Sequence, residues 1–508
     1  MILTTLIILP LLGGVIALYS EKISTRLPKT ITLVTLSLVL LLLLTTTLSN
    51  TLFNGDHRGQ WLFDEGVIWI ERLNIGAQLS MDGLSLALII LTLLVGLLAL
   101  SSAWEEIKKH QGFFYFNFLW TFAGIIGVFL AMDLLLFFVF WEVMLVPLYF
   151  LIAIWGHENR RYAALKFFLF TQAGGLLMLL SIIALAATHY QETSILSFNY
   201  HTLIQSPIVA PIGQWICLGF ILAFLVKLPA FPFHPWLPDA HTQAPTPVSI
   251  ILAAILLKTG GYGLIRFVLP LFPDAVQFWS PVMLLLGVMS IIYGAVLAFA
   301  QHDLKRVVAY SSVSHMGFVV LGCFSLNYIA LQGAMIQMLA HGLSSAALFM
   351  LVGLIQHKLH TRDLNQFSGL WQQLPNLSAM GLFFAVASLG MPGLGNFIGE
   401  LLVLIGTFEQ NAYFAVAASL GLILGAIYSL RLIQKSFWGP GKSNILAATV
   451  HLDKALATPS DLNIKQRATL FCIATGLILI GIYPQPILDL LQQPLMQILA
   501  VTRIEGVT

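Results

Sequence analysis

Six ionisable residues stand inside long apolar runs, where an ordinary solvated charge has no place. Glu142 lies in FFVFWEVMLVP, Lys227 in LAFLVKLPAFP and Lys258 in ILLKTGGYG. His315 lies in AYSSVSHMGF, His341 in QMLAHGLSSAALF and Glu400 in GNFIGELLVL. A charge at mid-bilayer costs at least about 2.5–3.5 kcal/mol on insertion scales, so a residue kept there needs a partner or a task. Carboxylates, amines and imidazoles on separate segments are the materials of a proton relay. A buried amine loses affinity for its proton, and a nearby carboxylate restores it. At 4 Å and an effective dielectric of 20 such a pair is worth about 4 kcal/mol. Moving one glutamate would therefore load or unload a lysine. Histidine suits the intermediate stations because its proton affinity lies near neutrality. Each residue also has a plain structural reading: Glu142 and Glu400 as static ties, and the histidines as hydrogen-bonded helix contacts.

Composition shows what must hold these groups. The 508 residues are 58% hydrophobic and 9% charged, with mean hydropathy +0.90. Soluble domains carry about 25% charged residues, so the solvent here is largely lipid. A net charge of +2 offers no basic face for nucleic acid. Cys217, Cys323 and Cys472 are isolated, without zinc or iron–sulfur spacing. His234, Asp239 and His241 in FHPWLPDAH make too weak a pattern for a metal site, and none is expected. No nucleotide-binding glycine motif or nucleophile–base pair is present. The apolar start, Met1 to Ser20, lacks a basic leader and a small-residue cleavage site, so it reads as a retained span.

A spanning helix needs about 20 apolar residues. Fourteen are expected, near 2–19, 29–50, 82–103, 113–131, 132–154, 163–188, 213–232, 243–268, 278–301, 304–324, 327–355, 374–408, 411–436 and 467–490. With this count, 17 of the 24 Lys and Arg residues fall in loops after odd-numbered spans, including Lys305 and Arg306. Arg58, Arg72, Arg266 and Arg503 fall on the opposite side. The positive-inside rule then puts both termini on the outer, periplasmic side. Lys166, near a span entrance, reads as a snorkelling anchor. Asp82 and Asp133 read as helix N-terminal charges.

Spans seven and twelve are broken. Pro229, Pro232, Pro235 and Pro238 interrupt the seventh, and Gly390-Met-Pro392-Gly393 the twelfth. Such breaks survive in lipid only where protein or water satisfies the freed backbone, and paired breaks point to a transport site. Glu142 to Lys227 and His315 to Glu400 are both 85 residues apart. The expected organisation is all-α: helices 1–3 over 1–112, two inverted five-helix repeats over 113–268 and 278–436, then a loop, the fourteenth helix and a tail over 437–508.

At these residues the chain resembles the antiporter-like membrane subunits of respiratory complex I, the proton-pumping NADH:quinone oxidoreductase. FFVFWEVMLVPLYFLIAIWG, VKLPAFPFHPWLPDAHTQAPTPVSIILAAILLKTGGYG, DLKRVVAYSSVSHMGF, AHGLSSAALF and MPGLGNFIGE carry the likeness. It is strong over spans 4–13 and reaches both ends. Of the three chain types it is most similar to M, because L and N chains typically hold lysine where Glu400 stands. The resemblance implies that Glu142 partners Lys227, that Lys258, His315 and His341 form a central axis, and that Glu400 is the terminal carrier. It implies neighbouring L and N chains in a bacterial inner membrane. It also implies no redox group here, with FMN, iron–sulfur clusters and quinone in other subunits. The same core motifs occur in subunits of multisubunit sodium/proton antiporters and membrane-bound hydrogenases, the alternative reading. A purely structural subunit is a second alternative.

Overall fold

The computed structural model describes residues 1–53, 61–71, 75–206, 208, 211–439 and 460–502. Arg58, Arg72, Lys442, Lys454 and Arg503, used above to orient the chain, lie outside these residues.

The chain is a polytopic helical membrane protein. The described residues hold twelve helices long and apolar enough to cross a membrane, and two shorter apolar ones. The first five long helices are α1 (Ile2–Ser20), α2 (Leu27–Phe53), α3 (Gly83–Glu106), α4 (Gln111–Leu130) and α5 (Leu134–Trp155). Next come α6 (Arg160–Thr193), the short α7 (Tyr200–Leu203), α8 (Ile212–Lys227), the short α9 (Trp236–Gln243) and the span α10 (Thr246–Leu271). Then follow α11 (Pro273–Ala300), α12 (Leu304–Phe324), α13 (Tyr328–Leu359) and the short α14 (Leu370–Gln373). The last are α15 (Pro375–Ser388), α16 (Gly395–Gln410), α17 (Ala412–Ser436), α18 (Ile464–Ile482) and α19 (Gln485–Thr502).

Three spans, α10, α12 and α13, are the most enclosed, while α1 and α2 present much of their surface outward. The enclosed three are the ones that carry Lys258, His315 and His341. The core thus lies where the charges are. A helix facing lipid needs no packing partner to hide apolar groups, whereas a helix bearing a charge must turn it toward protein.

The two breaks are satisfied locally. At the end of α8 the indole of Trp236 donates to Val226 O at 2.8 Å, and Phe231 N donates to Ser290 Oγ at 2.9 Å. Between α15 and α16 the chain turns through Gly390 at φ +81°, a left-handed conformation that suits glycine. The span expected over 374–408 is therefore two half-helices.

Two elements go beyond the sequence reading. An antiparallel hairpin, β1 (Phe63–Ile70) with β2 (Ile75–Met81), follows α2 in register Phe63↔Met81. Its Glu65 receives the chain amino terminus at 2.6 Å and the backbone N–H of Leu3 and Thr4, capping α1. The tail after 484 forms α19, whose Leu490 carbonyl lies so close to Gly83 that a Cβ there would meet it.

Several expected roles change. Lys166 is no free snorkelling anchor: its ammonium binds Asp239 at 2.6 Å, and Arg306 shares that carboxylate at 3.3 Å. Arg266 is not in an outer loop, because α10 runs on to Leu271; it is 3% exposed and ion-paired with Asp82. Lys305 is fully buried and donates to Ala244 O at 2.8 Å, so it does more than orient the chain. Asp82 and Asp133 do cap α3 and α5, as their positions at helix starts suggest.

Candidate functional site: a buried line of proton-bearing groups

Lys227, Lys258, His315, His341 and Glu400 are each 0–4% exposed, so none relies on bulk water. They fall into a loose group and a tight one.

The loose group is built on α5, α6 and α8. Glu142 projects from mid-α5, and Gly175 of α6 leaves room for its carboxylate: a Cβ there would lie 2.9 Å from Oε1. Gln172 of α6 lies beside the same carboxylate. Lys227 ends α8, where the proline break halts the helix. Its Nζ sits 4.6 Å from the centroid of the Trp141 ring, a cation–π contact. Neither Nζ nor Glu142 Oε1 has a hydrogen-bond partner among the described residues. The two side chains feel each other's charge without bonding.

The α8 end leads directly to α10. Gly260 faces the backbone of Phe224 and Leu228 so closely that a Cβ would come within 2.7 Å of Phe224 O. α10 contains two π-helical turns, Leu252–Leu256 and Leu264–Val268. Such turns expose carbonyls and recur at functional sites. Here Lys258 Nζ donates to Ala253 O at 2.7 Å, the carbonyl of the first π turn.

From Lys258 the groups touch in sequence. Nζ lies 2.7 Å from His341 Nδ1, and His341 Nε2 lies 3.1 Å from Ser312 Oγ. The His341 and His315 rings are 5.3 Å apart between centroids. His315 Nδ1 meets Glu400 Oε1 at 2.8 Å, while its Nε2 meets Ser388 Oγ and Tyr428 Oη, each at 3.2 Å. Gln337 Nε2 donates to the same Glu400 oxygen at 3.1 Å. A small cavity lined by His315, Ser388, Glu400 and Tyr428 closes this end.

This geometry permits proton exchange without large movement. When Lys258 holds the proton, its ammonium donates to His341 Nδ1. When Nδ1 carries it, the neutral amine accepts across the same 2.7 Å. At the other end, the His315 tautomer with its proton on Nδ1 donates to Glu400 Oε1 and lets Nε2 accept from the two hydroxyls.

Sequence reasoning named all six of these residues but not Gln337, Ser388, Tyr428 or Trp141. Polar and aromatic residues of those types are common in spans, and nothing in their spacing marks them out. His234 and Asp239 do not join in one site: Asp239 is held by Lys166 and Arg306, and the His234 ring lies 5.4 Å from that of Tyr293. Among the described residues no three His, Cys, Asp or Glu side chains gather as a metal site.

Residues 131–425, which contain Glu142, Lys227, Lys258, His315, His341 and Glu400, match the family described as NADH:quinone oxidoreductase/Mrp antiporter, transmembrane region. The chain covers 99% of itself and 100% of a chain of respiratory complex I from Thermus thermophilus, at TM-score 0.87 and 28% identity. A chain of the Mrp complex from Dietzia matches at TM-score 0.80 and 22% identity, with 52% of that chain covered, a likeness of fold alone. Curated relatives extend the match to both ends. Subunit M of NADH-quinone oxidoreductase from Pseudomonas aeruginosa is 48% identical, and that from Escherichia coli K12 is 45% identical, each over 96% of both chains. The chain belongs to the antiporter-like membrane subunits of NADH:quinone oxidoreductase, in the subunit M family.

Proposed function

We propose that this subunit moves protons across the membrane along the line Lys227, Lys258, His341, His315 and Glu400, with Glu142 setting the charge of Lys227. Membership of the subunit M family makes the chain a proton-translocating membrane subunit of NADH:quinone oxidoreductase, a translocase that works among other membrane subunits. The order of carriers is our reading. The observation that carries it is the succession from Lys258 Nζ through His341 and the adjacent His315 ring to Glu400 Oε1, with Lys227, which makes no hydrogen bond among the described residues, on the neighbouring helix.

Protons enter from the cytoplasm, reach Lys227 and Lys258, pass the histidines and leave by Glu400 toward the periplasm. Two inverted repeats, 113–268 and 278–436, supply the two ends of the line, which accounts for the equal 85-residue spacing of Glu142–Lys227 and His315–Glu400. The cationic loops lie on the cytoplasmic side of a bacterial inner membrane, and both termini are periplasmic. The salt bridge from the amino terminus to Glu65 of the hairpin supports placing those two segments on one side. Neighbouring L and N chains complete the membrane arm, and FMN, iron–sulfur clusters and quinone belong to other subunits.

The test is Lys227→Ala in the whole complex, assayed in inverted membrane vesicles. NADH-driven acidification should fall by about tenfold or more while the complex still assembles, since a missing relay acid or base commonly costs that much. Native pumping in assembled Lys227→Ala complex would remove the proposal.

A further inference from the structure

Trp141 stands next to Glu142 on α5, yet its ring is the resting place of Lys227. The ring is 1% exposed and is wedged against Phe137 and Phe224, with centroids 5.6 Å and 5.7 Å away. The Lys227 ammonium lies 4.6 Å from the ring centroid and makes no hydrogen bond among the described residues. The charged group that faces this ammonium is Glu142, whose Oε1 is likewise without a hydrogen-bond partner there. A buried ammonium and carboxylate attract strongly, so something must keep them from closing into a salt bridge. The aromatic face is what the lysine rests on instead.

The edge of the same indole meets the carboxylate. Successive residues on a helix point about 100° apart, so Trp141 and Glu142 leave α5 in different directions. They come together again over Gly175 of α6. A Cβ there would lie 2.9 Å from Glu142 Oε1 and 3.6 Å from Trp141 Nε1. That indole N–H is buried and has no acceptor among the described residues. Burying an unpaired N–H costs stability, and a phenylalanine would fill the core without that cost. A donor without an acceptor and an acceptor without a donor thus face one small space, which the missing Cβ of Gly175 leaves open.

We infer that Trp141 is a positioning residue that holds the Glu142–Lys227 pair open: its ring face carries the charged lysine, and its indole N–H is placed to receive the glutamate. The inference rests on the relay proposed above and adds the group that sets when Lys227 moves. A cation–π contact lasts only while the lysine is charged. Once the ammonium passes its proton on toward Lys258, the neutral amine is released from the ring. A carboxylate turned to the indole N–H leaves the lysine on the ring. Turned to the lysine, it draws the ammonium off the ring and closes the pair. Trp141 therefore separates two arrangements of the same three side chains.

The experiment replaces Trp141 alone, by nonsense suppression, in the whole complex. NADH oxidation and acidification are read together in inverted membrane vesicles. Fluorination drains charge from the face of an indole while keeping its shape and its N–H. Along the mono-, di-, tri- and tetrafluorotryptophan series, coupled turnover should fall step by step. At the tetrafluoro end the loss should be roughly twofold to thirtyfold, the range that such a contact spans. Benzothienylalanine in place of Trp141 keeps the face and exchanges the N–H for sulfur, and should lower coupled turnover by about twofold or more. A flat fluorination series in assembled complex would overturn the inference, because packing alone predicts it. Native turnover with benzothienylalanine would overturn the part assigned to the N–H. If the tetrafluoro form fails to assemble, the slope over the mono- and difluoro forms decides. Lys227→Ala separates the two proposals. Native pumping in that variant removes the relay itself. An inactive Lys227→Ala beside a flat fluorination series leaves the relay and removes only the part of Trp141.

Discussion

The Glu142–Lys227 pair and the His315–Glu400 pair are equally spaced in the chain but oppositely built. Glu400 Oε1 and both ring nitrogens of His315 are hydrogen-bonded, to each other and to Gln337, Ser388 and Tyr428. Lys227 has the Trp141 ring face and the field of the Glu142 carboxylate, and its Nζ makes no hydrogen bond among the described residues. A hydrogen-bonded cluster resists rearrangement, because moving the His315 ring or Glu400 Oε1 breaks bonds. A loose amine changes its charge state whenever the nearby carboxylate moves, because no bond resists. The difference separates a point where a signal can act from a point where a proton is held before release.

The sharpest way to break this contrast is to compare pumping and stability at the two ends. Lys227→Met should cut NADH-driven acidification by about tenfold or more. Its effect on the melting temperature should be neutral or upward, because it replaces an unpartnered buried amine with a thioether of similar length. Glu400→Ala should cut pumping and also lower stability by about 1–3 kcal/mol, since His315 and Gln337 lose their shared acceptor. Thermal unfolding of the purified complex, followed alongside activity, checks both. A lower melting temperature for Lys227→Met would show that the loose pair is a structural tie after all.

Two glycines give a smaller test of the same contrast. In Gly390→Ala the new methyl would meet Glu400 Oε2 at 2.7 Å on a backbone of φ +81°. In Gly175→Ala it would press on Glu142 Oε1 from 2.9 Å. The first forces a left-handed alanine and displaces a bonded carboxylate, costing about 1 kcal/mol or more. The second presses only on Oε1, the far end of a flexible side chain and an atom without a hydrogen-bond partner among the described residues. Gly390→Ala should therefore lower both stability and turnover, while Gly175→Ala should change turnover with little change in melting temperature.

How much of this was legible depends on what each residue must do. Buried charges announce themselves, because in a run such as FFVFWEVMLVP nothing else is polar. The broken spans were legible for a related reason: proline and glycine clusters have few uses in lipid. The hairpin was missed because its strands lie in a stretch without strict alternation, where the run VIWI was the available signal. The α19 helix hid behind Pro484, although Leu491, Leu495, Ile498 and Leu499 repeat at helical spacing and are buried. Lys166, Arg266 and Lys305 were misread for one physical reason. Near a span end a cation can snorkel, sit in a loop or pair inward, and only the position of Asp239, Asp82 or Ala244 in space decides which.

The smallest expected effect lies at the surface, at the start of the broken span that leads to Glu400. Asp461 accepts from Asn376 N at 2.7 Å, Asn376 Nδ2 at 2.8 Å, Leu377 N at 3.1 Å and Leu462 N at 2.7 Å. Partial burial alone would raise its proton affinity, but these donors win and hold the carboxyl below its usual range. The two backbone donors from α15 are free N–H groups of a helix start, so Asp461 serves as a distant cap worth about 1 kcal/mol. A folded-state affinity below the unfolded one means stability that is present above the unfolded value and lost as pH falls through the folded one. Asp461→Asn should therefore speed amide hydrogen exchange at the start of α15 at pH 7. That difference should vanish only once the pH falls below the lowered folded value, where the native aspartic acid is itself neutral. A difference that persists at low pH would assign the effect to the shape of the side chain, not to its charge.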